Sequence, residues 1–208
     1  MPEARIDRLP FRRRRLADYE AMYAAEPPWE TNRPQHAYAS LATAGGFNGR
    51  VLDVGCGSGE HALLAASLGH PAVGVDSAPS AIKRAREKAA ARSLDARFLC
   101  LDVQRLPQLN EQFDTLIDAG MFHTLDDDQR PTYAAATAGV AAPGAHLHVL
   151  CFSDAEPGFL GPRRVSPNEL VHALAGPWCP VTVARTTMDT TSGEGRISGL
   201  LGEFVLGT

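Results

Sequence analysis

The sequence of 208 residues is 44% hydrophobic and 21% charged, which is the composition of an ordinary globular domain with a sizeable core. Its net charge of −4 gives no electrostatic basis for nucleic-acid binding. The four cysteines are widely spaced and form no C-x-x-C pair, so we expect neither a zinc site nor disulfides. No apolar run approaches membrane-spanning length, and the sequence therefore predicts one cytoplasmic domain with no membrane or nucleic-acid partner.

The first 47 residues are predicted to form an N-terminal helical lid, and residues 48–208 the core of the same domain. Residues 1 to about 15 are basic, and the run of four arginines at 12–15 is expected to be a solvated face. Helices are predicted at 16–25 and 36–44, and Pro27 and Pro28 end the first of them. The loop between them, 28–35, combines an aromatic residue, a cation and a rigid backbone.

From residue 50 onward, short apolar runs alternate with helical patterns. Strands are predicted at 51–54, 72–75, 97–101, 113–117, 146–152, 181–183 and 200–206. Helices are predicted at 60–68, from Ser77 onward, from 126 to about 141 and at 166–175. Ser77 is expected to cap the second of these helices, whose charged residues, including Lys88, are expected to face water. The alternation predicts an α/β fold with a doubly wound, mostly parallel seven-stranded sheet.

The most informative stretch is the turn after the first predicted strand, where glycines occupy alternate positions. Asp53 precedes Gly55, Gly57 and Gly59 in the pattern D-x-G-x-G-x-G. In a dinucleotide-binding loop the third glycine position would fall on Glu60, a bulky anion where a diphosphate would lie. The pattern instead resembles motif I of the class I S-adenosylmethionine (SAM) methyltransferases, which implies that this loop binds SAM.

Acids stand at or near the ends of the first four predicted strands, at Asp53, Asp76, Asp102 and Asp118. Ligands of an open α/β sheet bind at the carboxyl edge of its strands, so these acids are expected to gather there. Gathered carboxylates repel one another and lose solvation, and a cationic, hydroxyl-rich ligand such as SAM removes that cost. Asp76 is predicted to accept the ribose hydroxyls, although NAD sites use the same geometry. Asp102 is predicted to accept the adenine amino group, with Val103 beside the ring.

Several further stretches resemble one bacterial branch of the class I methyltransferases. They are residues 27–35, 113–114, 118–123, 152–153 and 161–164, and the resemblance extends from about residue 18 to residue 185. The chain is similar to the thiopurine, thiol and halide methyltransferase-like group, which includes mycobacterial enzymes that methylate heteroaromatic and quinone-like small molecules. The resemblance implies a Rossmann-like core and a segment, 29–33, that folds over SAM, with Arg33 reaching its carboxylate. The branch usually has glycine at Asn32, and asparagine tolerates the left-handed conformation better than most residues.

The resemblance and the strand-end acids together give a predicted site. The predicted cofactor-binding residues are Trp29, Arg33, Asp53, Gly55, Cys56, Gly57, Gly59, Asp76, Ser77, Asp102, Val103, Asp118, Ala119 and Gly120. The predicted catalytic residues are His123, Tyr19 and Tyr23, and the predicted contacts with the methyl acceptor are Phe122, His123, Arg163 and Arg164.

Methyl transfer from a sulfonium is an in-line displacement, so the enzyme chiefly has to hold the nucleophile on the methyl axis in a dry pocket. Aromatic faces at Tyr19, Tyr23, Trp29 or Phe122 are expected to attract the cation, the alternative being that they only pack. His123 is the candidate general base for an acceptor that is protonated at working pH, the alternative being a hydrogen-bonded structural histidine.

Two charged stretches remain. Arg163 and Arg164 follow the fifth strand and are expected to pair with an anionic acceptor, the alternative being solvated loop charges. The acids at 126–128 fan out by roughly 100° per residue if helical, so they make a poor chelate and suit the first turn of a helix. No metal is therefore expected.

The predicted function is SAM-dependent transfer of a methyl group to O, S or N of a small aromatic or heteroaromatic molecule. Halide or simple thiol methylation is the alternative within the same chemistry. A SAM-binding protein without catalysis is the alternative outside it.

Overall fold

The computed structural model describes residues 15–158, 161–193 and 195–207, so most of the basic N-terminal stretch lies outside the described residues. The helices are α1 (Leu16–Ala24), α2 (His36–Thr43), α3 (Glu60–Ser67), α4 (Pro79–Arg92), α5 (Arg130–Ala138) and α6 (Pro167–Leu174). The strands are β1 (Val51–Val54), β2 (Ala72–Asp76), β3 (Ala96–Cys100), β4 (Phe113–Ala119), β5 (Ala141–Phe152), β6 (Trp178–Asp189) and β7 (Arg196–Leu206). Two short 3-10 helices span Val103–Leu109 and Phe122–Thr124.

The seven strands form one sheet in the order β3-β2-β1-β4-β5-β7-β6. Strands β1 to β5 are parallel, whereas β7 runs antiparallel to both β5 and β6. The order reverses direction at β1 and β4, and the carboxyl ends of these two strands form the switch point at which such sheets bind ligands. The predicted doubly wound, mostly parallel seven-stranded sheet is therefore confirmed.

Both faces of the sheet are covered, so the central strands are apolar on both sides. On one face, Leu116 and Leu147 pack with Tyr133 of α5 and Leu170 of α6. On the other face, residues such as Val51 and Ile117 pack with side chains from α2, α3 and α4. Within the described residues, no helix is both long and apolar enough to cross a membrane.

The helix predicted from 126 to about 141 is shorter than expected, because both of its ends have other structure. The Oδ1 atom of Asp126 accepts a hydrogen bond from the Gln129 amide at 3.0 Å, which closes a turn before α5 begins at Arg130. At the other end Ala141 already belongs to β5. The three aspartates therefore precede the helix, and placing them in its first turn was wrong.

The predicted cap of α4 is also wrong by one position. Ala78, not Ser77, occupies the N-cap position, and its side chain makes no capping hydrogen bond. Asp76 supplies the acceptor instead, since its Oδ1 lies 2.8 Å from the Ala78 amide nitrogen. Pro79 stands in the first turn, as predicted.

The last strands are much longer than the sequence pattern indicated. β6 covers 12 residues and β7 covers 11, against predictions of 181–183 and 200–206. β6 is an edge strand whose residues are mostly exposed, so it lacks the alternating apolar pattern from which a strand is recognised. Its pairing with β7 along nearly its whole length defines it instead.

Candidate active site

The loop between β1 and α3 needs its three glycines. Gly55, Gly57 and Gly59 have φ angles of +68°, +53° and +86°, in the left-handed region that favours glycine. A Cβ atom on Gly57 would lie 2.7 Å from the Tyr23 hydroxyl, and one on Gly59 would lie 2.6 Å from the Phe98 ring. The backbone of the loop is thus closely approached from both sides.

Asp53, at the end of β1, is a buried acid with an unusual environment. Its Oδ2 accepts a hydrogen bond from the Ala62 amide at 3.0 Å, while Oδ1 has no hydrogen-bond partner among the described residues. Burial raises the pKa of Asp53 to about 8; the Ala62 amide opposes this rise, and the charges of Asp118 and Asp76 add to it. A cation or a hydrogen-bond donor near Oδ1 would therefore be strongly favoured.

Asp76, at the end of β2, holds the glycine loop in place. Its Oδ2 accepts a hydrogen bond from the Gly57 amide at 2.9 Å, in addition to the bond from Ala78. Burial raises the pKa of Asp76, although these amides lower it. Each carboxylate oxygen has a second lone pair, so these bonds leave room for ribose hydroxyls to donate.

The remaining predicted adenine contacts lie beyond β3. Asp102 is exposed and caps the first 3-10 helix, with its Oδ1 2.9 Å from the Gln104 amide. Val103 is buried beside it. Ser77 lies half-buried between the ends of β2 and β3, where its carbonyl faces the Cys100 thiol at 3.5 Å.

Asp118, near the end of β4, is fully buried, and its carboxylate stabilises the turn that follows. Oδ2 accepts from the Tyr133 hydroxyl at 2.8 Å, and Oδ1 accepts from the Met121 amide at 2.8 Å. Burial raises the pKa of Asp118 to about 6 despite these donors. Ala119 and Gly120 follow it on the same edge, and Gly120 adopts a φ of +97°.

The N-terminal segment packs on this edge of the sheet. Tyr23 is buried against Gly57, and its hydroxyl accepts a hydrogen bond from the Trp29 indole at 3.1 Å. The ring of Tyr19 makes an edge contact with Trp29, with 6.4 Å between centroids. Glu20 accepts two hydrogen bonds from Ser80 at the start of α4. Three of the predicted aromatic residues, Tyr19, Tyr23 and Trp29, therefore lie together, with Tyr23 against the glycine loop.

A partly buried ion-pair network that was not predicted from the sequence joins the N-terminal segment to the glycine loop. The Nζ of Lys88 lies 2.9 Å from Glu30 Oε1, 2.8 Å from Glu60 Oε1 and 2.6 Å from Ser58 Oγ. Arg92 donates two hydrogen bonds of 2.8 Å to Glu60. The expectation that Lys88 faces water is therefore wrong, because two carboxylates attract its ammonium group inward. The helical spacing of Lys88 and Arg92 was the available sequence signal.

Asn32 and Arg33 form a turn after the network. Asn32 has a φ of +53°, so asparagine adopts the left-handed conformation that the branch fills with glycine, as expected. The Arg33 side chain is 64% exposed and lies 3.7 Å from Asp189 Oδ1. Asp189 is buried at the end of β6 and also accepts from the His36 amide and from Arg196. The predicted role of Arg33 at the SAM carboxylate stays a prediction.

His123 and Phe122 lie beyond the end of β4. The Nδ1 of His123 accepts a hydrogen bond from the Phe152 amide at 3.1 Å, so in the neutral ring the proton resides on Nε2. Phe122 is fully buried between the Tyr133 ring and the Arg130 guanidinium, which lies 4.8 Å above it. Their predicted roles stay predictions, and the geometry gives Phe122 a packing function.

The two loop arginines are paired within the chain. Arg163 contacts Asp127 at 2.7 Å and Glu169 at 2.6 Å, so its charge is matched by acids from the α5 and α6 ends. Arg164 donates to the carbonyls of Pro162 and Pro157 and lies 5.4 Å above the Phe152 ring, which ties its loop together. Their pairing with an anionic acceptor stays a prediction.

Two sequence comparisons bear on the family of the chain. A family model described as a methyltransferase domain matches residues 51–144. The 2-heptyl-1-hydroxyquinolin-4(1H)-one methyltransferase of Mycobacteroides abscessus is 39% identical over 158 residues, which are 74% of this chain and 70% of that protein. The Arabidopsis thaliana protein "Probable thiol methyltransferase 2" is 29% identical over 153 residues, which are 73% of this chain and 68% of that protein.

Comparison with solved structures shows the same fold. A structure described as "Conversion of a Disulfide Bond into a Thioacetal Group during Echinomycin Biosynthesis" is 35% identical, with a TM-score of 0.84 over 92% of this chain and 93% of that one. Magnesium protoporphyrin IX methyltransferase (ChlM) from Synechocystis PCC 6803 with bound SAM shares the fold at 20% identity, with a TM-score of 0.63 over 82% and 76% of the two chains. The chain belongs to the SAM-dependent methyltransferase family, and the predicted fold, cofactor and methyl-transfer chemistry are confirmed.

Proposed function

We propose that this methyltransferase acts on a small heteroaromatic or aromatic acceptor whose O, S or N atom loses its proton easily. The observation that carries the proposal is the hydrogen bond from the Phe152 amide to Nδ1 of His123, at 3.1 Å. It leaves the proton on Nε2, so the ring donates and does not accept there. A reaction at this centre therefore favours acceptors that ionise without an enzymatic base.

The residues present fit SAM. The glycine loop lets a ligand approach its backbone, and the unpaired Oδ1 of Asp53 calls for a donor or a cation. The carboxylates of Asp53, Asp76 and Asp118 repel one another in a buried place, so a positive ligand lowers the free energy of ionising them. We assign Asp76 to the ribose and Asp102 with Val103 to adenine. We assign the segment 29–33 to the amino acid end.

When bound, SAM supplies a methyl group activated by a sulfonium. The chain's own contribution is to orient the acceptor and exclude water, an effect worth up to ~7–11 kcal/mol in well-aligned intramolecular reactions. Tyr23 and Trp29 cover one side of the edge, and we propose that the N-terminal segment to which they belong acts as a lid. We assign Arg164, which lies over the Phe152 ring, to the side of the site that contacts the acceptor.

The relatives support an acidic acceptor of this kind. The Mycobacteroides abscessus relative is named for a 1-hydroxyquinolinone, whose hydroxyl is borne on nitrogen, and the Arabidopsis thaliana relative is named for thiols. Both groups ionise far more readily than an alcohol. A sulfur acceptor is the second candidate, favoured by the 35% identical structure, whose description concerns a thioacetal.

The setting we propose is the cytoplasm, with no nucleic-acid or membrane partner. All four cysteines are free, which fits a reducing compartment. The net charge of −4 supports the absence of nucleic-acid binding.

The experiment that tests the proposal is a methyl-release assay on an acceptor panel. The panel contains a 1-hydroxyquinolinone, a phenol, an aromatic thiol, a simple thiol, iodide and an aliphatic alcohol, and SAM binding is measured separately by calorimetry. We expect turnover of the acidic aromatic acceptors and none of the alcohol. Turnover of iodide and simple thiols alone would assign the halide and thiol activity. SAM binding without turnover of any member would assign a non-catalytic binding protein.

A further inference from the structure

Three side chains with metal-binding atoms meet on one face of the sheet, away from the glycine loop. His146 and His148 stand two residues apart on β5, so they point to the same face, and Glu203 of β7 is paired with His148 in the antiparallel register. The Nδ1 of His146 lies 3.0 Å from Glu203 Oε1. Each residue offers one ligand atom, and all three atoms lie within 4.8 Å of one another.

His148 is the residue whose surroundings call for a ligand. It is 2% exposed, and neither of its ring nitrogens makes a hydrogen bond to the described part of the chain. The backbone of Gly46 is near enough to the ring to raise the pKa of His148 as a weak hydrogen-bond partner, and its carbonyl can serve one ring nitrogen at most. Buried polar groups in native proteins nearly always have a partner, so the other ring nitrogen requires an explanation.

We propose that His146, His148 and Glu203 bind a divalent transition-metal ion such as Zn²⁺. Two imidazoles and one carboxylate suit zinc, cobalt, nickel or copper, and they disfavour magnesium and calcium, which prefer oxygen ligands. Zinc bonds of 2.0–2.1 Å in a tetrahedral site place ligand atoms roughly 3.3 Å apart. The separations of 3.0 Å and at most 4.8 Å approach this value, so small side-chain rotations complete the site.

The fourth position faces solvent. The side chains of His146 and Glu203 are 36% and 29% exposed, so an ion can enter from the surface while His148 closes the inner side. The rings of the two histidines are stacked at 18° to each other, with centroids 6.1 Å apart. The coordinating lone pairs lie in the ring planes, so these nearly parallel rings have to rotate before both direct a nitrogen at one ion.

The site is separate from the methyl-transfer site. His146 is paired with Thr115, near the start of β4, whereas Asp118 and the glycine loop lie at the carboxyl ends of the strands. Metal binding here would link β5 to β7, the only antiparallel contact that the central strands make within the described residues. We therefore expect the ion to stabilise the fold without taking part in the reaction.

The test is Zn²⁺ titration by calorimetry, together with the visible absorption of Co²⁺, on chelator-treated full-length protein without a histidine tag. Cys100 and Cys179 are exposed, so both are first replaced by serine to remove competing thiols. We expect one ion per chain, the absorption bands of four-coordinate Co²⁺ and a rise in melting temperature.

Matched variants separate the proposed site from surface binding. His148→Ala and Glu203→Gln should each weaken Zn²⁺ binding by at least about tenfold, whereas His172→Ala, in α6, should leave it unchanged. Glu203 is partly exposed, so its variant tests the site even if His148→Ala fails to fold. Absence of one-to-one binding, or equal affinity in Glu203→Gln and the parent, would overturn the proposal and leave an ordinary His146–Glu203 hydrogen bond.

Discussion

The hydroxyl of Tyr23 lies against the backbone of Gly57, so that a Cβ atom at position 57 would be 2.7 Å from it. The contact joins α1, in the N-terminal segment, to the centre of the cofactor loop. It makes Gly57 a position where both the backbone conformation and the space exclude a side chain.

Gly57→Ala should weaken SAM binding by more than about tenfold, because the methyl group displaces Tyr23 and strains a residue whose φ is +53°. Calorimetric titration with SAM measures the effect. Gly69→Ala is the matched control, since Gly69 has a φ of +86° but nothing within 4 Å of the added atom. Equal losses in the two variants would mean that backbone strain, not the Tyr23 contact, is responsible.

The pKa of Asp53 predicts how stability depends on pH in the absence of ligand. A carboxyl whose folded pKa is raised to about 8 favours the fold in its protonated form, so its contribution is lost as pH rises toward 8. His61 and His148, with their pKa values lowered to about 4 by burial, oppose this trend only below their ordinary value of 6.5. Asp118, whose pKa is raised to about 6, also stabilises the fold in its protonated form, and most of that contribution is already lost below pH 6.5.

Between pH 6.5 and 8 we therefore expect the unfolding free energy to decrease with pH, by at most about 1.4 kcal/mol per unit for one proton. Asp53→Asn should flatten this slope, because its amide does not titrate. Urea denaturation at a series of pH values measures both. A wild-type slope that survives unchanged in the variant would assign the proton to another group, such as Asp76.

Lys88→Met should destabilise the protein by about 3 kcal/mol, because it leaves the buried carboxylates of Glu30 and Glu60 with fewer partners. The affinity for SAM should also fall, since Ser58 of the glycine loop loses its contact with Lys88. Lys83→Met is the control on the same helix, where the exposed pair with Glu87 contributes less than about 1 kcal/mol. Chemical denaturation compares the two, and similar values would contradict a structural role for the network.

His123→Asn should retain more activity than His123→Ala, because the asparagine amide oxygen can accept the Phe152 N–H that Nδ1 now accepts. We expect the alanine variant to lose less than about tenfold in kcat on an acidic acceptor, whereas removing a true base costs roughly 10²–10⁴-fold. Rates measured against pH distinguish the cases. If kcat falls by a large factor in both variants, and both lose the basic group seen in the wild-type pH–rate profile, His123 would be assigned as the general base.

The parts of the fold that the sequence predicted well have strong local signals. The apolar run around Asp53 and the glycines after it predict a strand followed by a tight turn. β1 begins and ends where expected. The capping box of Ser166 and Glu169 likewise fixes the start of α6. Boundaries failed where a tertiary contact decides them, as in β6, whose edge position removes the apolar alternation.

In the candidate site, too, the residues with local sequence signals could be predicted and those that depend on tertiary contacts could not. Asp53 and Asp76 could be placed from the sequence, because the carboxyl ends of neighbouring parallel strands must meet. The contacts of Lys88 with Glu30 and of Arg163 with Asp127 could not, because the partners are 58 and 36 residues apart in the sequence. Long side chains of this kind take the nearest carboxylate in the folded molecule, and spacing along the sequence does not reveal it.

The hydroxyl of Tyr38 fixes α2 to the middle of the sheet. It donates toward the carbonyls of Asp118 and His148, at 2.6 and 2.9 Å, and its side chain is fully buried. The second helix of the N-terminal segment is therefore an anchor and not a moving part. We therefore expect any opening that admits the cofactor to move α1 together with the residues up to the left-handed turn at Asn32, and to leave α2 in place.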